Sequence, residues 1–126
     1  MSITVSGTDF ITVPTEDFDR ARAFYGTTLG LRFSKQWGSM PGAEYETGNL
    51  TLVVMAAEDV GLQFTPSRNA IALRVDDVAE ARKELEGKGV TFFGDIVDSG
   101  VCHQAYFADP DGNPLILHHR YATQQS

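Results

Sequence analysis

The residues able to do chemistry are few, and most lie late in the chain. All three histidines, His103, His118 and His119, fall there. Two imidazoles and a carboxylate hold a divalent metal with open coordination positions, and here Glu44 or Glu46 would have to supply the carboxylate from the first half. One imidazole can instead act alone as general acid or base, which makes His118 the candidate catalytic residue. Cys102 is the lone cysteine, so no intrachain disulfide and no cysteine-rich zinc cluster is possible. No Cys-His signature surrounds it, and a small buried filler is the expectation. Trp37 stands beside Gly38-Ser39-Met40-Pro41-Gly42. Its indole suits stacking on a flat or cationic ligand, and the glycine-bearing loop suits a lid.

Composition narrows the setting for these residues. The chain has 126 residues, with 10 Lys+Arg against 17 Asp+Glu and a net charge of −7. That length fits one domain or two half-size modules, and it buries enough surface to fold without disulfide or metal. The longest apolar run, Leu52 to Ala57, is far shorter than the roughly twenty residues of a membrane helix. Met1 to Val5 has neither a basic segment nor an apolar stretch, so the expected location is the cytoplasm. The basic residues are scattered and outnumbered, which argues against nucleic acid. An anionic surface draws cationic small molecules instead.

The elements that must position the chemistry come in duplicate. A shift of sixty positions lays Ile11 to Tyr25 over Ile71 to Leu85, with Ile11/Ile71, Asp17/Asp77, Ala21/Ala81 and Arg22/Arg82 identical. Further on, Gly48-Asn49 answers Gly112-Asn113, each opening an apolar segment. Each copy reads as strand, helix and three strands. Alternation marks Ile11–Val13 as a strand. Thr15 is the expected cap of the first helix and Asp76 of the second. Phe18, Ala21, Tyr25 and Leu29 recur at helical spacing until Gly30, as Val78, Ala81 and Leu85 do until Gly87 and Gly89. Later strands are expected at Leu31–Trp37, Ala43–Glu46 and Leu50–Ala56, then at Val90–Val97, Val101–Phe107 and Pro114–His119, with Asp109-Pro110-Asp111-Gly112 as a tight turn. Module one spans 1–57, a linker 58–69, module two 70–121 and a frayed tail 122–126.

The expected fold class is therefore α+β, with two tandem βαβββ modules. Together they form a curved, cup-like eight-stranded mixed sheet with helices on its outer face. Alternation assigns the faces. With Ile11, Val13, Ile71 and Leu73 against the helices, Phe10, Thr12, Ala70 and Ala72 face the hollow. Leu52, Val54, Ile116 and His118 join them from the closing strands. Phe33, Trp37 and Tyr45 make one wall, with Phe92, Phe93, Tyr106 and Phe107 across. His103, on the strand beside His118, completes the candidate ligand-binding set.

The βαβββ repeat, Phe24-Tyr25 with Leu29-Gly30-Leu31, and Asp109-Pro110-Asp111-Gly112-Asn113 resemble the vicinal oxygen chelate superfamily over essentially the whole chain. That superfamily includes glyoxalases, extradiol dioxygenases, fosfomycin-resistance enzymes and bleomycin-resistance proteins. The resemblance implies a divalent metal in the cup, held by His or Glu from the first and last strands of each module. Those positions fall on Phe10, Ala70, Leu52 and Ile116, all apolar and none a metal ligand. Val13-Pro14, Asp17-Phe18-Asp19 and Ala23-Phe24-Tyr25-Gly26 are similar to the start of bleomycin-resistance proteins. Those lack the metal ligands and sequester a cationic drug as dimers, in which the first strand can exchange near a proline. The implied protein is a metal-independent homodimer that sequesters an aromatic or cationic compound, as in antibiotic resistance, without a cofactor. The alternative is a lyase, isomerase or dioxygenase-type enzyme. It would use one divalent metal displaced toward His103 and His118, or His118 alone.

Overall fold

Asp17 and Asp77 do the same job in the two copies of the repeat. Each stands in extended conformation at the foot of a helix, and its carboxylate accepts from the backbone N–H three residues on, at Arg20 (3.1 Å) and at Glu80 (3.0 Å). The caps are therefore Asp17 and Asp77, not Thr15 and Asp76. Thr15 is buried and closes the preceding turn, its hydroxyl donating to the Asp17 carbonyl and accepting from the Asp17 amide. A short carboxylate in β conformation satisfies an orphan N–H best from the residue directly before the first helical turn.

The computed structural model describes residues 3–123, and the chain divides between Phe64 and Thr65 into two compact units. In the first, β1 (Phe10–Thr15) leads to α1 (Phe18–Ala23), which runs on through a π-helical turn (Phe24–Thr28). β2 (Arg32–Gln36), β3 (Gly42–Glu46) and β4 (Thr51–Ala56) follow. The second has β5 (Ile71–Arg74), α2 (Val78–Gly87), β6 (Phe92–Asp98), β7 (Cys102–Ala108) and β8 (Pro114–Arg120). The eight strands make two four-stranded sheets, ordered β1-β4-β3-β2 and β5-β8-β7-β6. In each, the first strand runs parallel to the last and the other pairs are antiparallel. This is the α+β class, built from two βαβββ modules. The end of the expected frayed tail, Gln124 to Ser126, lies outside the described residues.

The other identities of the repeat have matching roles. The Arg22 guanidinium lies 5.2 Å from the Phe33 ring, and that of Arg82 lies 4.9 Å from the Phe92 ring. Each also donates across to the edge strand region, Arg22 to Gln36 and Arg82 to the Gly94 carbonyl. Each arginine thus ties its helix to the sheet with its stem and its charge together. Ile11 and Ile71 pair with Leu52 and Leu115 in the parallel ladders. In the second module the Asp109 carboxylate accepts from the amides of Asp111 and Asn113 and from the Asn113 side chain. Asn113 in turn accepts from the Ser67 amide at 2.7 Å, which fastens the linker to the turn.

Register decides the faces. Leu52 stands opposite Ile11 and Tyr45, and Val54 opposite Val13 and Ala43. Tyr45 packs on Tyr25, and its hydroxyl reaches the Arg22 carbonyl at 3.4 Å. Leu52, Val54 and Tyr45 therefore pack under the first helix, with Phe33, and do not line the opposite face. Phe92 and Phe107, in contact at a centroid distance of 4.9 Å, likewise pack with Leu115 and Leu117 under α2. The expectation of Leu52 and Val54 on the open face clashed with that of Ile11 and Val13 on the helix face. Residues paired across adjacent strands share a face, so one of the two had to fail.

Replacing Asp17 or Asp77 by alanine is expected to cost about 1 kcal/mol each in urea unfolding, at unchanged m value. A loss in Asp76→Ala matching that in Asp77→Ala would restore the other cap assignment in the second module.

Candidate functional site

The face of each sheet turned away from its helix carries the remaining chemistry. In module one it holds Phe10 and Thr12 of β1, Thr51, Val53 and Met55 of β4, and Glu44 and Glu46 of β3, which alternate with the helix-facing residues. The two-residue period puts each of these on the far side from Leu52 and Tyr45. Val53 is fully buried there, while Phe10 is 48% exposed.

Trp37, just past β2, is fixed on this face. Its indole N–H donates to the Glu44 carboxylate at 2.7 Å, and Phe10 meets the ring edge-on at 6.1 Å and 76°. The ring also lies flat against Gly42: a Cβ there would come within 2.6 Å of Cε3. The loop is less free than a lid. Trp37 N–H bonds the Gly42 carbonyl, Met40 N–H the Trp37 carbonyl, and Ala56 N–H the Pro41 carbonyl. Glu46 accepts from the Thr51 hydroxyl at 2.8 Å. Lys35 pairs with Glu44 in the ladder. Of the expected residues in module one, the structure thus brings together Phe10, Thr12 and Trp37.

In module two the open face carries Ala72 and Arg74 of β5, Ile116, His118 and Arg120 of β8, and Gln104 and Tyr106 of β7. Ala70 immediately precedes β5 in the same alternation. Ile116 and His118 are where the sequence placed them. His103 is not: it pairs with His119, and His118 pairs with Gln104. His103 and His118 are thus on opposite faces of one sheet and cannot ligate one ion. His103 lies 3.4 Å from the Asp98 carboxylate and stacks at 4.7 Å on Tyr121. The other Asp98 oxygen accepts from the Tyr121 hydroxyl (2.8 Å) and the Gly100 amide (2.9 Å). This cluster latches the turn end of the β6–β7 hairpin to the residue after β8.

The model of the Glyoxalase/Bleomycin resistance protein/Dioxygenase superfamily matches residues 7–117. The chain belongs to that superfamily. Among proteins of known function it is 28% identical over 114 residues to the glutathione transferase FosA of Serratia marcescens, covering 86% of this chain and 77% of that protein. Among solved structures it is similar to TnmS3, an antibiotic binding protein from Streptomyces sp. CB03234, at 26% identity and a TM-score of 0.77, covering 94% and 99% of the two chains. A putative glyoxalase family protein from Bacillus anthracis, at 24% identity, shares the fold with a TM-score of 0.78 over 95% of this chain and 99% of its own.

Strand register fixes where the metal positions implied by the superfamily resemblance fall. Ile11 and Ile71 are repeat mates, so Leu52 corresponds to Leu115 and the true mate of Ile116 is Val53. β4 opens three residues after Gly48, whereas β8 opens two after Gly112, and counting from glycine shifts the position by one. The open-face positions are then Phe10, Val53, Ala70 and Ile116, none with an electron pair to offer. Among the described residues no group of three or more His, Cys, Asp or Glu side chains is placed to hold a metal ion. The side chains present do not fit the superfamily's metal. Sequence reasoning missed Glu44 as the partner of Trp37, and also Arg74, Gln104 and Arg120. The signal for the last three was alternation from His118, readable only once strand pairing is known.

The latch has a pH signature. The Gly100 amide, then the Tyr121 hydroxyl, hold the Asp98 carboxyl below its ordinary 3.8, and the same Asp98 bond raises the Tyr121 phenol above 10.0. The carboxylate's contribution to stability is present above its unfolded value and lost as pH falls through the folded one. The phenol's is present below 10.0 and lost as pH rises through its folded value. Tyr121→Phe is expected to move the Asp98 titration, followed by carbonyl-carbon NMR, up toward the ordinary value while the Gly100 bond keeps part of the depression. An unchanged Asp98 titration would remove the phenol from the latch.

Proposed function

We propose that this chain is a metal-independent binding protein that holds an aromatic or cationic small molecule on the open face of module one. The observation that carries this reading is the fixed Phe10–Trp37 pair with Glu44 behind the indole. An aromatic edge and an aromatic face, held by a hydrogen bond and a close glycine, stack a flat compound at little ordering cost. A carboxylate beside them and a net charge of −7 favour a ligand with donor groups or positive charge. Apolar side chains at the implied metal positions support binding without a cofactor. TnmS3 is an antibiotic binding protein, and sequestration of a toxic compound in the cytoplasm is the role we assign by that likeness. No helix among the described residues is long and apolar enough to cross a membrane. We further propose a homodimer. The arm before β1 carries Ile3 and Val5, 87% and 76% exposed, and Pro14 stands late in that strand as a hinge for exchange.

Trp37 is the chain's one tryptophan, so its emission reports on this face alone. Titration with flat aromatic antibiotics is expected to quench it saturably. Phe10→Ala and Gly42→Ala should weaken binding by about tenfold each, the second by displacing the indole from Glu44. No quenching across neutral and cationic aromatics, with the protein folded, would end this reading.

A second reading is favoured by His118 on the open face of module two and by the glutathione transferase relative. In it, the chain is an enzyme using His118 as acid or base. It expects His118→Ala to remove turnover of an identified substrate by about a hundredfold or more while the melting temperature holds. Full activity in that variant would sink it.

A further inference from the structure

The open face of module two sorts into two rows of side chains running across the strands. Strand register aligns Arg74, His118 and Gln104 in one row, and Ala72, Ile116, Tyr106 and Phe93 in the next. Arg120 lies two residues beyond His118 on the same strand and the same face. Neighbouring strands stand about 4.8 Å apart, and alternate residues along a strand about 6.8 Å apart, so the long side chains of these groups can converge on one small head group.

The cations of this face differ from those on the helices. Arg20, Arg82 and Lys88 each have a glutamate one helical turn away. Among the described residues neither Arg74 nor Arg120 has an ion-pair or hydrogen-bond partner for its side chain. None of the positions paired on this face of β5, β8 and β7 carries a carboxylate. A chain with 17 acidic residues has thus kept two arginines on a sheet face clear of them. The Tyr106 hydroxyl donates to the side-chain carbonyl of Gln104, which leaves that side chain's NH2 as a donor in the row with His118. The adjoining row is apolar, and its Phe93 is 62% exposed.

We infer that this face binds the anionic head, carboxylate or phosphate, of a small molecule with an apolar body. The Arg74 guanidinium takes two oxygens of the head as a planar fork. Arg120, the Gln104 amide and the His118 ring close around it. The body lies over Ile116, Tyr106 and Phe93, where removal of apolar surface from water adds to the charge-assisted bonds. The inference stands whichever of the two proposed readings holds, because it uses different residues from the Trp37 face and no reaction step.

The test is NMR of the full-length protein, with the side-chain resonances of Arg74 and His118 followed during titration with phenyl phosphate, benzoate and inorganic phosphate. Phenyl phosphate and benzoate are expected to give saturable shifts at both residues. Phenyltrimethylammonium should leave them in place. Arg74→Met and Arg120→Met should each weaken phenyl phosphate by roughly tenfold at an unchanged melting temperature. Absence of a saturable shift at His118, or affinity unchanged in the Arg74→Met/Arg120→Met double variant, would overturn the site. Inorganic phosphate binding as tightly as phenyl phosphate would overturn the apolar half of the assignment. Trp37 emission read in the same samples separates this result from that on module one.

Discussion

The parallel pairing of the first strand with the last in each module is the constraint from which the site follows. β4 and β8 are each held by a parallel partner on one edge, β1 or β5, and an antiparallel one on the other, β3 or β7. Val54 opposite Val13 and Leu117 opposite Leu73 put branched apolar side chains into the layer beneath the helix, where Val54, Leu52 and Leu117 are almost wholly buried. A slip of one residue would turn that layer to the other side and bring Thr12, Glu44 and His118 under the helices. Burying a carboxylate and an imidazole there without partners costs several kcal/mol, which holds the register in place. Which residues stay available for a ligand is a consequence of that choice.

Given that scaffold, the two modules spend their open faces differently. Module one offers an edge-on aromatic pair with a carboxylate behind it. Module two offers arginines, an imidazole and an amide beside an apolar row. The helix sides remain alike: an aspartate cap and an arginine over an edge-strand phenylalanine in each. A fold whose helix face does the stabilising leaves its other face free to change chemistry, and the variety of names within the superfamily is what that freedom permits.

The position counted from glycine shows how far a repeat can be trusted. Gly48 and Gly112 both mark the turn before the final strand, but the two turns release their strands at different distances. The second turn, organised by the buried Asp109 holding three N–H groups, has its glycine one residue before the last, whereas Gly48 is followed by both Asn49 and Leu50 before β4 begins. The helix caps show the opposite case. Asp17 and Asp77 were visible as an identity at the repeat spacing, yet neighbouring Thr15 and Asp76 carry equally suitable side chains. Only the backbone conformation distinguishes a cap from the residue beside it.

Composition, the sixty-residue self-similarity and hydrophobic alternation were sufficient for the α+β class, the two βαβββ modules and nearly every strand, because those depend on local periodicity and turn chemistry. The same local signals placed Phe10, Thr12, Ile116 and His118 on the open faces, whereas Trp37 parts from Phe33 only through the register shift between Phe33 and Lys35. Tertiary structure alone decided that Leu52, Val54 and Tyr45 lie under a helix, that His103 and His118 part to opposite faces, and that Arg74, Gln104 and Arg120 gather around His118. Each of these turns on which residue stands opposite which across strands distant in sequence. Alternation has a period of two and carries no mark of where the count begins; pairing supplies it.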